Sequence, residues 1–142
     1  MTDYLSEYLT LDEYACGHCH TLPPDLFIHD IKRPYLELFH IFDSVRATWG
    51  HPIPVSSGYR CPYHNASIGG VSLSPHLWGL ALDMDMPDIQ ATEELYRLID
   101  TDFNHLRVGK YTETGSFIHI DNIYSVAPRA SHNWTRGKRW FK

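Results

Sequence analysis

Ser74-Pro75-His76-Leu77-Trp78-Gly79-Leu80-Ala81-Leu82-Asp83 and, further along, Phe117-Ile118-His119-Ile120-Asp121 are the stretches on which the reading of this chain turns. From Leu80 to Met86 the residues alternate, with leucines and methionines on one side and Ala81, Asp83 and Asp85 on the other, as in a half-buried strand. The second stretch behaves alike: Phe117, His119 and Asp121 share one side, Ile118 and Ile120 the other. If the two strands are neighbours, Asp83 and His119 converge on one point. His76 precedes them across a turn that Gly79 permits, so it reaches that point from a loop or a strand end, and Ala81 leaves room beside it. Two imidazoles and a carboxylate form the ligand set of a catalytic zinc site, with a fourth position open. Ten histidines make chance pairs expected, and a lone His is ordinarily just a polar residue. An Asp inside so apolar a run weighs the other way, because an unpaired buried carboxylate is costly and usually answers to a cation.

A wider pattern surrounds these residues: Ser56-Ser57-Gly58-Tyr59-Arg60-Cys61-Pro62-Tyr63-His64-Asn65, then Ile68-Gly69-Gly70-Val71, then Ser74-x-His76-x-x-Gly79-x-Ala81-x-Asp83, and last the His119-x-Asp121 segment. Over about residues 12 to 134 this resembles the M15 family of zinc peptidases, especially its D-alanyl-D-alanine carboxypeptidase-like members and phage endolysins, which share a fold with the hedgehog signalling domain. The resemblance implies that His76, Asp83 and His119 bind zinc and that Arg60 holds a substrate carboxylate. A guanidinium suits that task through paired parallel hydrogen bonds. Spacing alone equally allows Arg60 to be a surface Arg ending a strand. Many family members carry an acidic general base three positions before the last His; here that position is Ser116. Asp121, Asp85 and Glu113 are the candidates for the base, and Asp121 is alternatively a residue that orients a ligand from behind.

Composition fits a single domain spanning residues 1–142, with 43% hydrophobic and 13% aromatic residues, long enough to bury one core. No apolar run reaches the length of a membrane span. The start, Met1-Thr2-Asp3-Tyr4-Leu5-Ser6-Glu7, lacks a basic and an apolar region, so the expectation is a chain made in the cytoplasm without a signal peptide. A wall-cutting enzyme of that kind leaves with a pore-forming partner, as phage lysins do, or works inside on recycled wall peptides. Arg129, Arg136, Lys138, Arg139 and Lys142 form a basic tail over about 129–142, interleaved with Trp134, Trp140 and Phe141, in a chain whose net charge is −5. Such a tail can touch an anionic polymer, but packing of its aromatics on the domain is the favoured reading. No nucleic-acid motif is present, so no nucleic-acid partner is expected. A monomer is expected.

Helices are predicted around 2–9, from Pro34 to Trp49 and from Ile89 to Asp100. Tyr35, Leu38, Phe39, Phe42, Val45 and Trp49 make a core stripe on the second of these, and Gly50 ends it. Strands are predicted at Ile53–Ser57, Leu80–Met86, Leu106–Tyr111 and Phe117–Asn122, with a long loop from Arg60 to Pro75. The fold class is α+β, a small antiparallel sheet flanked by helices. The resemblance makes it hedgehog/DD-peptidase-like.

Cys16-Gly-His-Cys19 and Cys61-Pro-Tyr-His64 are two knuckle-like pairs. Cys16, Cys19, Cys61 and His64 would close a second, structural zinc site with no open position. A Cys16–Cys19 disulfide and three unpaired thiols are the alternatives, and His18 or His20 can stand in for His64. The function implied by the resemblance is zinc-dependent cleavage of peptidoglycan stem peptides. A terminal D-Ala, a cross-link and the L-Ala–D-Glu bond all remain open as targets. The rival is a non-catalytic zinc-containing module of the same fold, at a wall or in a virion, and a third possibility is hydrolysis of a small non-wall dipeptide.

Overall fold

The computed structural model describes residues 3–126 and 134–142. In chain order its elements are helices α1 (Leu11–Tyr14) and α2 (Arg33–Trp49), strand β1 (Val55–Ser57), helix α3 (Pro62–Ser67), strand β2 (Ala81–Asp85), helix α4 (Ile89–Asp102), and strands β3 (Arg107–Tyr111), β4 (Phe117–Asp121) and β5 (Arg139–Phe141). One-turn 3-10 helices lie at Pro75–Trp78 and Ile123–Ser125. The sheet runs β1-β2-β4-β3-β5. Its first three pairings are antiparallel, and the last, β3 with β5, is parallel, so the α+β sheet is mixed.

Alternation divides this sheet into two chemically different faces. Leu82, Met84, Val108, Ile118 and Ile120 are fully buried in the core with Leu38, Phe39, Phe42 and Val45 of α2 and Leu95 and Ile99 of α4. Burying an aliphatic or aromatic side chain of this size contributes about 1.5–3 kcal/mol, so the apolar face fixes the strand register. Register then dictates what the other face carries: Asp83 opposite His119, Asp121 opposite Arg107, and Gly109 between His119 and Trp140.

Helix α2 starts one residue before the predicted Pro34 and stops at Gly50, which takes a left-handed conformation (φ 84°) and donates its N–H to Arg46. Helix α4 is capped by the Asp88 carboxylate on the Ala91 N–H and runs to Asp102. Over its described residues, 3–9, the helix predicted at 2–9 does not form. The Asp43 carboxylate of α2 instead takes the Ser6 hydroxyl and the Glu7 and Tyr8 N–H groups, winding this segment into a turn closed by a Tyr4–Thr10 bridge. Helix begins only at Leu11, where Thr10 and Glu13 form a reciprocal cap, and the other Glu13 oxygen accepts the Val55 N–H of β1. Strand β5 and helix α3 are additions: the predicted tail and the predicted long loop both contain regular structure. In β5, Phe141 meets Tyr96 of α4 edge to face but stays largely exposed, while Trp140 turns to the opposite face of the sheet beside His119; of the tail's aromatics, Trp134 is the one buried, against Trp78. Arg129 lies outside the described residues.

Candidate metal centre and cleft

Two elements and a loop converge on the polar face. Asp83 and His119 are cross-strand partners on β2 and β4, and Asp83 Oδ1 lies 3.0 Å from His119 Nδ1 and 3.2 Å from His76 Nε2. His76 arrives on the 3-10 turn that Ser74 caps and that Gly79 closes in a left-handed conformation (φ 71°). Tyr14 anchors that turn, donating its hydroxyl to the Gly79 carbonyl at 2.7 Å, while its own carbonyl accepts the Tyr59 N–H. The three ligand atoms of His76, Asp83 and His119 lie within 4.8 Å of one another, and all three side chains are buried.

Three observations bear on whether these residues fit a divalent metal. First, His76 Nδ1 is engaged by the Gly58 carbonyl at 2.6 Å, which leaves Nε2 facing the cluster with no hydrogen-bond partner. Its 3.2 Å approach to Asp83 lacks hydrogen-bond geometry. A buried polar atom left so costs about 1–3 kcal/mol, a cost that coordination would remove. Second, His119 Nε2 is held at 2.7 Å by Asp121, which leaves Nδ1 as the inward nitrogen. Asp121 is itself fully buried and takes Arg107 Nε at 2.9 Å. Each imidazole thus has its outer nitrogen fixed by an oxygen, the arrangement that orients and strengthens histidine ligands. Third, the donor set of two nitrogens and a carboxylate oxygen suits zinc, with positions to spare. The residues fit.

Electrostatics agree. Burial alone would push the Asp83 carboxyl up, but His76 and His119 outweigh it and hold Asp83 well below the usual carboxylate range. Burial pushes the His76 imidazole down, against the pull of Asp83. For His119 burial also acts downward, yet its hydrogen bonds to Asp121 and Asp83 prevail and raise it to about 9.

Beside this cluster opens a cleft of about 650 Å³, within the range that accepts a small ligand. Arg60, Arg107, Lys138 and Lys142 line it, and Asp83 is its single acidic residue among those described. Arg60 lies across the cleft floor, bonded to Ser57, Asn65 and Asp83. Tyr111 and Phe117 stack at 4.3 Å along one wall, and Trp140 donates its indole N–H to the Tyr111 hydroxyl. Gly69, Gly70 and Val71 form the opposite lip, held by Asn65, whose amide donates to the Val71 carbonyl at 2.8 Å.

Of the base candidates, Asp121 sits behind His119 in the bonds just described. Asp85 is exposed at the end of β2, bonded to the Ser56 hydroxyl, and Glu113 is exposed in the β3–β4 turn. None of the three lines the cleft. Ser116 offers its carbonyl to the Met86 N–H. The sequence reading assigned no role at the cleft to Trp140 or Asn65. Their places depend on β5 pairing with β3 and on α3, though the Trp-Phe pair among bases was a visible sign that the tail packs. Cys16, Cys19 and Cys61 also come together, their sulfurs within 4.8 Å of one another, while His64 stands outside that set.

Residues 8–121 match the family described as Peptidase M15, and the chain belongs to it. The kinship read from the Ser-Gly-Tyr-Arg and His-x-x-Gly-x-Ala-x-Asp motifs is therefore borne out. Membership places the chain in a family of peptidases, and the His76, Asp83 and His119 group is one that can hold a metal ion. No curated protein matches the chain. Among the described residues no helix is long and apolar enough to cross a membrane.

Proposed function

We propose that the protein is a zinc-dependent peptidase that hydrolyses peptidoglycan stem peptides, with His76, Asp83 and His119 as the metal ligands. The observation that carries the metal is the unpartnered Nε2 of His76, buried and aimed at Asp83 and His119. Zinc at this point would act as a Lewis acid on the scissile carbonyl and lower the pKa of water to about 7. The chain's own residues supply the rest. Arg60, Lys138 and Lys142 make the cleft cationic, which favours peptides rich in carboxylates, as stem peptides are. Arg60 stands beside Asp83, where its guanidinium can hold a substrate carboxylate at a fixed distance from the metal position. Tyr111, Phe117 and Trp140 offer an apolar wall for the peptide's side chains.

The second reading is a non-catalytic metal-holding module of the same family. It is favoured by one observation: among the described residues the cleft contains no carboxylate besides Asp83 to shuttle a proton. Incubation of purified muropeptides with the protein, with and without chelator and with zinc restored, separates the two. Release of a peptide or amino acid that chelator abolishes and zinc restores supports the peptidase, and product masses identify the bond. Bound zinc with no hydrolysis of any muropeptide supports the module.

A further inference from the structure

The second cluster of ligand atoms is formed by residues that do not line the cleft, where the N-terminal segment meets α3. Cys16 is fully buried, Cys19 exposed and Cys61 half-buried, and their sulfurs approach within 4.8 Å of one another without a disulfide. Residues 16–21 form a turn pinned by its own backbone: the Cys16 N–H donates to the Thr21 carbonyl, and the His20 N–H to the Cys16 carbonyl. That turn brings the two sulfurs of Cys-x-x-Cys to one side. Cys61 comes from the N-cap of α3, and Pro62 fixes the first helical position behind it.

Backbone donors point at these sulfurs. The Cys61 N–H is 3.4 Å from Cys16 Sγ, and the His64 N–H is 3.4 Å from Cys61 Sγ. His64 lies one turn into α3 from Cys61; its ring stands outside the set of sulfurs, stacked on that of His18 at 5.8 Å and nearly parallel at 3°, and reaches them by turning about its own side-chain bonds.

We propose that Cys16, Cys19 and Cys61, with the His64 imidazole, hold a structural zinc ion independent of the metal in the cleft. Three thiolates and one imidazole make a closed tetrahedral set with no position for water, and soft sulfur ligands select zinc over harder ions. The consequence is architectural. Residues 16–30 contain neither helix nor strand beyond a single Phe27–Asp30 bridge, and the ion ties this segment to α3. Helix α3 in turn carries Asn65, which grips Arg60 and the lip of the cleft.

Metal counting on native full-length protein expressed with zinc tests this. Two zinc ions per chain are expected in the wild type and one each in Cys61→Ser and Cys19→Ser. Cys19 is exposed, so its replacement leaves packing intact. His76→Ala also has one, by loss of the other ion, which keeps the test separate from the peptidase reading. Cobalt substitution tells the sites apart: the sulfur-to-cobalt charge-transfer band persists in His76→Ala and disappears in Cys61→Ser. His64→Ala weakens zinc retention at least tenfold while His18→Ala retains it. The proposal falls if the wild type and Cys19→Ser hold the same number of ions. It falls equally if non-reducing peptide mapping of native protein finds a disulfide between any two of the three cysteines, or if His18→Ala and not His64→Ala releases the ion.

Discussion

His76, Asp83 and His119 stand on paired strands and on a one-turn helix locked to them, whereas Cys16, Cys19 and Cys61 belong to a turn and a helix cap. In the first cluster each imidazole is fixed from behind, His76 by the Gly58 carbonyl and His119 by Asp121, before any ion arrives. In the second, the sulfurs are gathered by short loops and one of them faces solvent. A rigid scaffold spends its stability on holding ligands in place, so a metal there adds chemistry. A loop cluster lacks that support, so a metal there adds order.

The most severe way to break this comparison is to remove a ligand from the sheet cluster. His76→Ala should lower muropeptide hydrolysis to background while the unfolding temperature falls only modestly: the variant leaves a cavity and an unpaired Gly58 carbonyl, but the pairing of β2 with β4 that carries Asp83 and His119 does not depend on it. An unfolding temperature that collapses together with activity would show that the sheet site needs its metal for folding, and the contrast with the cysteine cluster would vanish.

Asp121→Asn comes next. The carboxylate touches no ligand position of its own, but it orients His119 and takes Arg107. Loss of such an orienting partner costs about 10–100-fold in metal affinity, measured by competition with a coloured chelator. Unaltered affinity combined with abolished turnover would instead make Asp121 the proton carrier.

Acidification should act more gently and in one direction. His119 is raised to about 9, so below that pH its proton must leave before a metal enters. His76 is pushed down by burial and Asp83 is held well below the usual range, so neither contributes a competing proton near neutrality. Apparent affinity at this site should therefore fall about tenfold per pH unit between 8 and 7, the slope for one displaced proton. A slope of two protons would mean that His76 titrates too.

How much of this was visible in the chain depends on how local each cause is. The strict alternation of Leu80–Met86 and Phe117–Asp121 reports a sheet with one apolar face, so Asp83 and His119 were legible as partners. Helix α2 was legible for the same reason, a stripe at helical spacing ended by Gly50. The misplaced helix at 2–9 has a distant cause: three donors of that segment are taken by Asp43, more than thirty residues away. Strand β5 is three residues long and exists by pairing with β3, so no periodicity announces it. Helix α3 was hidden because its cap is a cysteine sulfur, which lies outside the usual capping residues. Among the base candidates, spacing put Asp121 on the right face but does not reveal Arg107 beside it.

The smallest effect is expected at Gly109, and it tests whether the cleft wall is separable from the metal cluster. Gly109 lies opposite His119 on one side and Trp140 on the other. A β-carbon built there runs into the Trp140 indole, at Nε1 and Cε2. Gly109→Ala should therefore move the indole away from the Tyr111 hydroxyl and widen the cleft, leaving Asp83 and Asp121 in their bonds to His119. Trp140 lies at the sheet edge on a three-residue strand, so it gives way more easily than β4. Metal affinity should stay within about twofold of wild type, and KM for a muropeptide should rise several-fold with kcat nearly unchanged, the signature of lost uniform binding. A fall in kcat with KM constant would mean that Trp140 holds His119 in position, and the wall and the metal cluster would then be one unit.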